Sequence, residues 1–115
     1  MLVLCYSKCT TCQKALKWLD SKGVSYEVRD IKNENPSFEE LSMWLQKSGL
    51  DIKRFFNTSG LLYKSLNLKD KLPLMTKEEK LRLLSTDGML VKRPIIISDK
   101  GIFTGFKDKE WETLL

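Results

Sequence analysis

Residues 2–12, LVLCYSKCTTC, join a short apolar segment to a pair of cysteines with two residues between them. The apolar segment has the composition of a buried strand, and residues 10–22 carry apolar side chains at helical spacing. Cys9 and Cys12 are therefore predicted to open a helix, where free N–H groups and partial positive charge favour a thiolate over a thiol. We predict that Cys9 is the reactive nucleophile and that Cys12 is the thiol that resolves its mixed disulfides.

The chain contains no histidine. This excludes serine–histidine and cysteine–histidine catalytic pairs and every histidine metal ligand. The cysteines alone supply at most three soft ligands, whereas structural zinc takes about four, so no metal is expected. Activation of Cys9 must then come from the helix terminus and from cations such as Lys8. Cys5 lies within the predicted strand, where we expect it to be a core residue.

Composition and length indicate one globular domain, since 42% of the 115 residues are hydrophobic and 30% are charged. No apolar run reaches the roughly 20 residues that span a bilayer, and no secretory signal is recognised, so we expect a cytoplasmic protein. A disulfide between Cys9 and Cys12 would close a short loop worth about 2 kcal/mol, which favours a reversible redox couple over a structural staple. The net charge of +5 is spread along the chain, so a solvated surface is favoured and direct DNA binding is not expected.

A second strand and a helical block follow the first helix. Residues 24–28 alternate as a strand, which together with the preceding strand and helix predicts a right-handed parallel unit. The helical block covers about residues 35–88. Ser37 and Glu40 have the spacing of a capping box at its first helix, and Gly49 ends that helix.

Two further strands follow the block, at residues 95–97 and 102–104, and their short connection predicts a hairpin. Asp108 is predicted to cap a final short helix. Two parallel strands followed by a hairpin are typical of an α/β fold of the thioredoxin-like (glutaredoxin-like) type. We therefore predict a single domain over residues 1–115, with a mixed four-stranded sheet and an inserted helical subdomain at about residues 35–88.

Arg93 and Pro94 precede the third predicted strand. Proline at the start of a strand lacks a ladder donor, and in a thioredoxin-like sheet this position faces the cysteine turn with a peptide bond that is often cis. We expect Arg93 to bring its guanidinium near Cys9, where it stabilises a thiolate or holds an anion bidentately. The residues expected to contact a substrate or anion are Lys8, Thr10, Thr11, Arg93 and Pro94.

Three segments resemble the glutaredoxin-linked arsenate reductase (ArsC) family, in particular its Spx/MgsR-type branch: CTTCQKA at residues 9–15, NTSG at 57–60 and KRPIII at 92–97. The resemblance implies a thioredoxin-like fold with a helical insertion, Cys9 as the reactive thiol and Arg93 before a cis proline. It implies no tightly bound cofactor, with glutathione, glutaredoxin or thioredoxin as the reductant. We therefore expect a cytoplasmic thiol–disulfide redox protein, and whether it is an enzyme or a regulator stays open.

The resemblance leaves two alternatives. Spx-type regulators bind the C-terminal domain of the RNA polymerase α subunit, and Gly49 falls near their contact glycine, which would make this chain a redox-sensing transcriptional regulator. The second alternative is an arsenate reductase, in which three arginines surround the oxyanion. Only Arg93 matches here, because Ser59 and Phe106 stand at the other two positions. Each charge-assisted hydrogen bond lost is worth about 1.5–3 kcal/mol, so arsenate reduction is the least expected activity.

Overall fold

The computed structural model describes residues 1–115 and contains one sheet. Its strands lie in the order β2-β1-β3-β4. β1 pairs in parallel with β2 and antiparallel with β3, which in turn pairs antiparallel with β4. The strands are β1 (Leu2–Cys5), β2 (Glu27–Asp30), β3 (Ile95–Ser98) and β4 (Gly101–Thr104). The predicted thioredoxin-like mixed sheet is confirmed.

Six α-helices surround this sheet: α1 (Thr10–Ser21), α2 (Phe38–Ser48), α3 (Leu61–Ser65), α4 (Leu68–Lys71), α5 (Lys77–Leu84) and α6 (Asp108–Glu112). α1 is the crossover between β1 and β2, and α6 follows β4. The helices α2 to α5, with 3-10 turns at Ile52–Phe55, Leu72–Leu74 and Gly88–Leu90, form the helical block between β2 and β3. None of the helices has the length and apolar character needed to cross a membrane.

The sheet separates two apolar clusters, because successive side chains of a strand point to opposite faces. Val3 and Ile96 are paired neighbours on one face, where they pack with α1 and α6 around the fully buried Trp111. Leu4 and Ile95 point to the other face, which the helical block covers. All the cysteines lie in or against the cluster of the first face. The thiols therefore lie across the sheet from most of the helical block.

Local signals determine where the longer helices of the block begin and end. The Ser37 hydroxyl accepts from the Glu40 N–H (3.1 Å) while the Glu40 carboxylate accepts from the Ser37 N–H (3.0 Å), so the predicted capping box is confirmed. α2 ends at Gly49 with a left-handed φ of 67°, a conformation that favours glycine. Thr76 and Glu79 make the same reciprocal pair at the start of α5.

Two predicted boundaries are wrong. β2 begins at Glu27, three residues later than predicted, because pairing with β1 starts only where the Glu27 N–H donates to the Met1 C=O (2.9 Å). Asp108 is the first residue of α6 and does not cap it. Lys107 occupies the N-cap position, and the Asp108 carboxylate instead accepts from the Lys109 N–H (2.8 Å).

Candidate functional site

Cys9 occupies the N-cap of α1, directly after the turn that leaves β1. Its N–H donates to the Tyr6 C=O (3.0 Å), and the Gln13 side-chain amide donates to the Ser7 C=O (3.1 Å), so the turn is held from both sides. The Cys9 side chain makes no capping hydrogen bond, and the first turn of α1 contains no acidic residue. The positive end of the helix dipole is therefore available to an anion beside a half-buried sulfur.

Cys12 lies one turn into α1, with 1% of its surface exposed, and Cys5 at the end of β1 is 5% exposed. The Cys12 thiol donates to the Cys5 sulfur, and together with burial this raises the pKa of Cys12 far above its usual range. The same hydrogen bond lowers the pKa of Cys5. Cys12 is also within hydrogen-bonding reach of the Cys9 sulfur. All three cysteines are free thiols, and Cys12 interacts with both of the others.

The contact between Cys5 and Cys12 is a feature that sequence reasoning missed. Cys5 is buried, as expected of a core residue, but it is also the hydrogen-bond acceptor of the proposed resolving thiol. The sequence contained the information needed to predict the contact between Cys5 and Cys12. Cys5 and Val3 share one face of β1 by alternation, and the crossover helix α1 must cover a face of the same strand.

Arg93 lies immediately before β3, with its guanidinium over the Tyr6 ring at 5.1 Å from the ring centroid. The peptide bond from Arg93 to Pro94 is cis, and the Pro94 C=O accepts from the Gly105 N–H (2.8 Å). Arg93 thus contacts Tyr6, the residue whose C=O accepts from the Cys9 N–H. The Arg93 Nε and Nη1 atoms are buried and have no hydrogen-bond partner. Buried donors are costly to leave unpaired, so these atoms are suited to an acceptor that a ligand brings.

A pocket of about 440 Å³, here called the basic pocket, opens between the first turn of α1 and the residues before β3. Thr11 and Phe106 contribute to its wall. Five cationic side chains also line it: Lys53, Arg54, Lys92, Arg93 and Lys107. One carboxylate, that of Glu110, approaches Arg54 at 3.5 Å. The pocket therefore has a strong local excess of positive charge next to the helix that Cys9 begins.

The other predicted contacts are not all brought to this pocket. Thr11 lines it, whereas Lys8 and Thr10 are exposed on the turn and do not. Pro94 is buried at the start of β3 and does not line the pocket, and its C=O accepts from the Gly105 N–H. Gly49 is exposed at the end of α2, a helix that packs on the opposite face of the sheet.

Ser59 and Phe106 stand at the two positions where the arsenate reductases of the family have arginine, and each has its own surroundings. Ser59 is exposed, and its hydroxyl makes only a long hydrogen bond to Asn57 (3.4 Å). The Phe106 ring packs edge-on against Trp111, with ring centroids 4.9 Å apart. Lysines adjacent to predicted positions, such as Lys92 and Lys107, supply cations that sequence reasoning missed. They belong to segments that meet only in the folded chain.

A larger surface groove, of about 1110 Å³, lies at the opposite end of the sheet. Residues from the start of β1 and the end of β3, such as Leu2 and Ser98, form its wall together with Met43 of α2. None of the predicted site residues contributes to this groove. Of these two cavities, only the basic pocket is lined by predicted site residues, Thr11 and Arg93.

The model of the ArsC family matches residues 4–114. The protein YusI from Bacillus subtilis is 49% identical, over 93% of this chain and 91% of its own length. The regulatory protein MgsR from the same organism is 31% identical, over 91% of this chain and 82% of its own length. The global transcriptional regulator Spx from Enterococcus faecalis is 32% identical, over 89% of this chain and 76% of its own length.

A crystal structure of an ArsC-family-related protein from Bacteroides fragilis has the same fold, with a TM-score of 0.97 at 51% sequence identity. The superposition covers 99% of this chain and 96% of that chain. The family model and the superposition thus cover almost the whole chain, including the thiol turn and the residues before β3. The chain belongs to the ArsC family and has Spx and MgsR among its relatives.

Proposed function

We propose that this protein carries out thiol–disulfide exchange, with Cys9 as the nucleophile and Cys12 as the resolving thiol. The proposal rests on the different burial of the Cys9 and Cys12 sulfurs, which lie within one helical turn. Cys9 is half-buried at an uncapped helix end, and Cys12 is enclosed below it. Two-step exchange needs one accessible sulfur and one that is shielded from outside partners.

In the first step, the Cys9 thiolate attacks one sulfur of a partner disulfide. A new S–S bond forms to Cys9, the partner S–S bond breaks, and the departing thiolate takes a proton from water. In the second step, Cys12 gives its proton to water and attacks the Cys9 sulfur, and the partner's second sulfur leaves as a thiolate that takes a proton from water. The partner gains two electrons and the Cys9–Cys12 pair loses them, so one disulfide has replaced another.

A reductant must then return the Cys9–Cys12 disulfide to two thiols. We propose glutathione, glutaredoxin or thioredoxin for this step, in the reducing setting of the cytoplasm. The exchange needs no tightly bound cofactor, because both electrons stay on sulfur throughout. Arg93 supports the same chemistry by offering buried donors to an anionic partner beside the Cys9 turn.

Alkylation by iodoacetamide, followed by mass spectrometry of the modified peptides, tests this proposal. In the folded, reduced protein at neutral pH we expect Cys9 to react much faster than Cys5 or Cys12. Unfolding in urea provides the control, because it should make the three cysteines equally reactive. Equal labelling of the three thiols in the folded protein would overturn the assignment of Cys9.

A redox-responsive regulator is the second candidate function, and the kinship with the regulatory protein MgsR and the regulator Spx supports it. The proposed partner is the C-terminal domain of the RNA polymerase α subunit, with Gly49 at the contact. Gly49 is exposed and has open space around the position of a Cβ. Binding in a pull-down that Gly49→Arg weakens would support this function. Gly23→Arg is a matched control, since Gly23 has a similar φ of 66° and equally open surroundings.

Arsenate reduction is the third candidate, and Arg93 alone supports it. The absence of a cation at Ser59 and the aromatic packing of Phe106 make it the weakest of the three. Arsenate-dependent oxidation of glutathione through glutaredoxin would reveal the activity. We expect no such turnover above the rate of the Cys9→Ser variant.

A further inference from the structure

We propose that the basic pocket binds an acidic segment of a partner protein and so presents a disulfide of that segment to Cys9. The inference rests on the proposed thiol–disulfide exchange and names its class of substrate. The main support for this proposal is that five cations line one concave pocket. Thr11, which lies two residues from Cys9, also lines this pocket. Glu110, which approaches Arg54 at 3.5 Å, neutralises at most one of them.

The charge in this pocket exceeds what the surface as a whole would supply. The chain has 20 basic and 15 acidic residues, so the two signs are nearly balanced elsewhere. Within the pocket, Lys53 and Lys107 are exposed, and Lys92 is half-buried. Arg93 adds two buried donor atoms that have no partner in the protein. Exposed charges that attract a ligand and buried donors that hold it are both present.

The shape of the pocket favours a peptide over a small oxyanion. A small oxyanion requires several cations aimed at one point, and neither Ser59 nor Phe106 supplies one. The five cations line about 440 Å³, which is more than one tetrahedral oxyanion fills and falls in the range of roughly 300–1,000 Å³ typical of sites for drug-sized ligands.

The proposed reaction of Cys9 favours a protein partner over a nucleic acid. A phosphate backbone has the right charge but carries no sulfur with which Cys9 can exchange. The pocket also lacks the row of free aromatic rings on which bases stack, since the Phe106 ring already packs against Trp111. An acidic peptide with a cysteine satisfies both the charge of the pocket and the chemistry of the turn.

The test uses the reduced full-length protein and short peptides that carry one cysteine as a thiopyridyl mixed disulfide. Attack by Cys9 forms the Cys9–peptide disulfide and releases thiopyridone, whose absorbance gives the second-order rate. One peptide has Asp and Glu around the cysteine and the other has Gln and Ser. The pocket variant is Lys53→Gln with Lys107→Gln. The matched control, Lys71→Gln with Lys77→Gln, makes the same change in charge at two exposed positions of the helical block.

We expect the acidic peptide to react roughly tenfold faster than the neutral peptide at low ionic strength, because the pocket attracts it. The ratio should approach one in about 0.5 M NaCl, where the Debye length is only about 4 Å. The pocket variant should lose most of the preference even at low salt. The control variant should keep it, and so should Lys53→Arg with Lys107→Arg.

Equal rates for the two peptides, with Cys9 still the modified residue, would overturn the docking proposal and leave thiol exchange intact. The same conclusion follows if the control variant loses as much preference as the pocket variant, since net charge alone would then explain it. If no peptide reacts at Cys9, the proposed function itself fails.

Binding to the pocket is then measured without thiol exchange. The probe is the acidic peptide with serine in place of its cysteine, and its fluorescence anisotropy reports binding. Weaker binding to the pocket variant than to the control variant supports the proposal, and equal binding overturns it. An unlabelled acidic peptide and a single-stranded oligonucleotide are then compared as competitors. If the oligonucleotide displaces the labelled peptide as efficiently as the unlabelled peptide does, the docking proposal is overturned and the pocket is assigned to nucleic acid.

Discussion

Cys9 and Cys12 differ in their surroundings although they lie within one helical turn. Cys9 is half-buried at the positive end of α1, and an incoming sulfur can approach it from solvent. Cys12 is 1% exposed, and its thiol donates to the sulfur of Cys5. Burial thus favours a fixed order of events, in which the outer thiol reacts with a partner before the inner thiol reacts with the outer one.

This order predicts that Cys12→Ser traps the partner. The variant should form a stable mixed disulfide at Cys9, because the second attack has no sulfur to make it, whereas Cys9→Ser should form none. Nonreducing electrophoresis with mass spectrometry of the captured species measures both results. A mixed disulfide of the same yield in Cys9→Ser would contradict the assignment.

The raised pKa of Cys12 predicts that the second step speeds up with pH. The thiolate fraction rises about tenfold for each pH unit below the pKa, so release of the partner should accelerate from pH 7 to about pH 9. Cys5→Ala removes the acceptor of the Cys12 proton, lowers the pKa of Cys12 and should make release several-fold faster at pH 7. Quenched-flow analysis of the mixed disulfide follows the rate, and a pH-independent rate would contradict the prediction.

At the scale of elements, Glu40 joins the start of α2 to the edge strand β2. Its carboxylate accepts from the Ser37 N–H (3.0 Å) and pairs with both terminal nitrogens of Arg29, at 2.6 and 2.9 Å. The Arg29 side chain is the main cause that lowers the pKa of Glu40 to about 2. One carboxylate thus caps a helix and ties it to the sheet.

We predict that Glu40→Gln lowers the free energy of unfolding at pH 7 by about 1–2 kcal/mol, a figure reduced for the partial exposure of the pair. The pKa of Glu40 is depressed in the folded state, so its contribution is complete above the ordinary value of about 4.3. That contribution is lost as the pH falls towards the folded value of about 2. Urea titrations of both proteins should therefore show a difference that shrinks between pH 5 and about pH 2.

Glu79→Gln is the matched control for this prediction. Glu79 makes the same capping box with Thr76, but it is exposed and has no arginine partner. Its substitution should cost less stability than that of Glu40. An equal loss in the two variants would show that the cap, and not Arg29, accounts for the effect.

The helix starts were predictable because their signals are local. Ser37 and Glu40 lie three residues apart and interact within a single turn, so no tertiary contact is needed to recognise them. The start of β2 depends instead on pairing with β1, and nothing near Glu27 marks where that pairing begins. Asp108 has the chemistry of a cap, but the chain reaches helical geometry one residue too early for it to act as one.

Across the whole molecule, the helical block is tied to the sheet at closely packed points. Gly88, in the last 3-10 turn of the block, lies so near the end of β2 that an added Cβ would collide with the Ile31 carbonyl oxygen. The Thr104 hydroxyl of β4 donates to the Arg54 C=O (2.7 Å). The second contact holds the segment that brings Arg54 to the basic pocket.

Gly88→Ala should therefore destabilise the protein by about 3 kcal/mol, because the group it meets is backbone and cannot rotate away. Gly23→Ala is the comparison: it has open space and only the strain of its φ of 66°, which costs about 1 kcal/mol. Urea unfolding at neutral pH measures both losses. A loss at Gly88 no larger than that at Gly23 would contradict the close approach.

The thiol turn could be predicted from the sequence, whereas the basic pocket could not. The strand and the helix that position Cys9 are neighbours in the chain, so their signals meet within residues 2–22. The cations of the pocket come from residues 53–54, 92–93 and 107, and only the closure of the block on the sheet brings them together. Because these cations are far apart in the sequence, nothing there distinguishes them from the charged residues of an ordinary solvated surface.

The division of the interior by the sheet has a consequence for how such a chain can change over generations. The sulfurs share their cluster with α1 and α6, and most of the helical block packs against the other face. Substitutions in the helical block can therefore accumulate without altering the atoms around Cys5 and Cys12. Relatives of this chain can thus inherit the proposed thiol chemistry unchanged while the surface of the helical block, and with it the partner it would recognise, diverges.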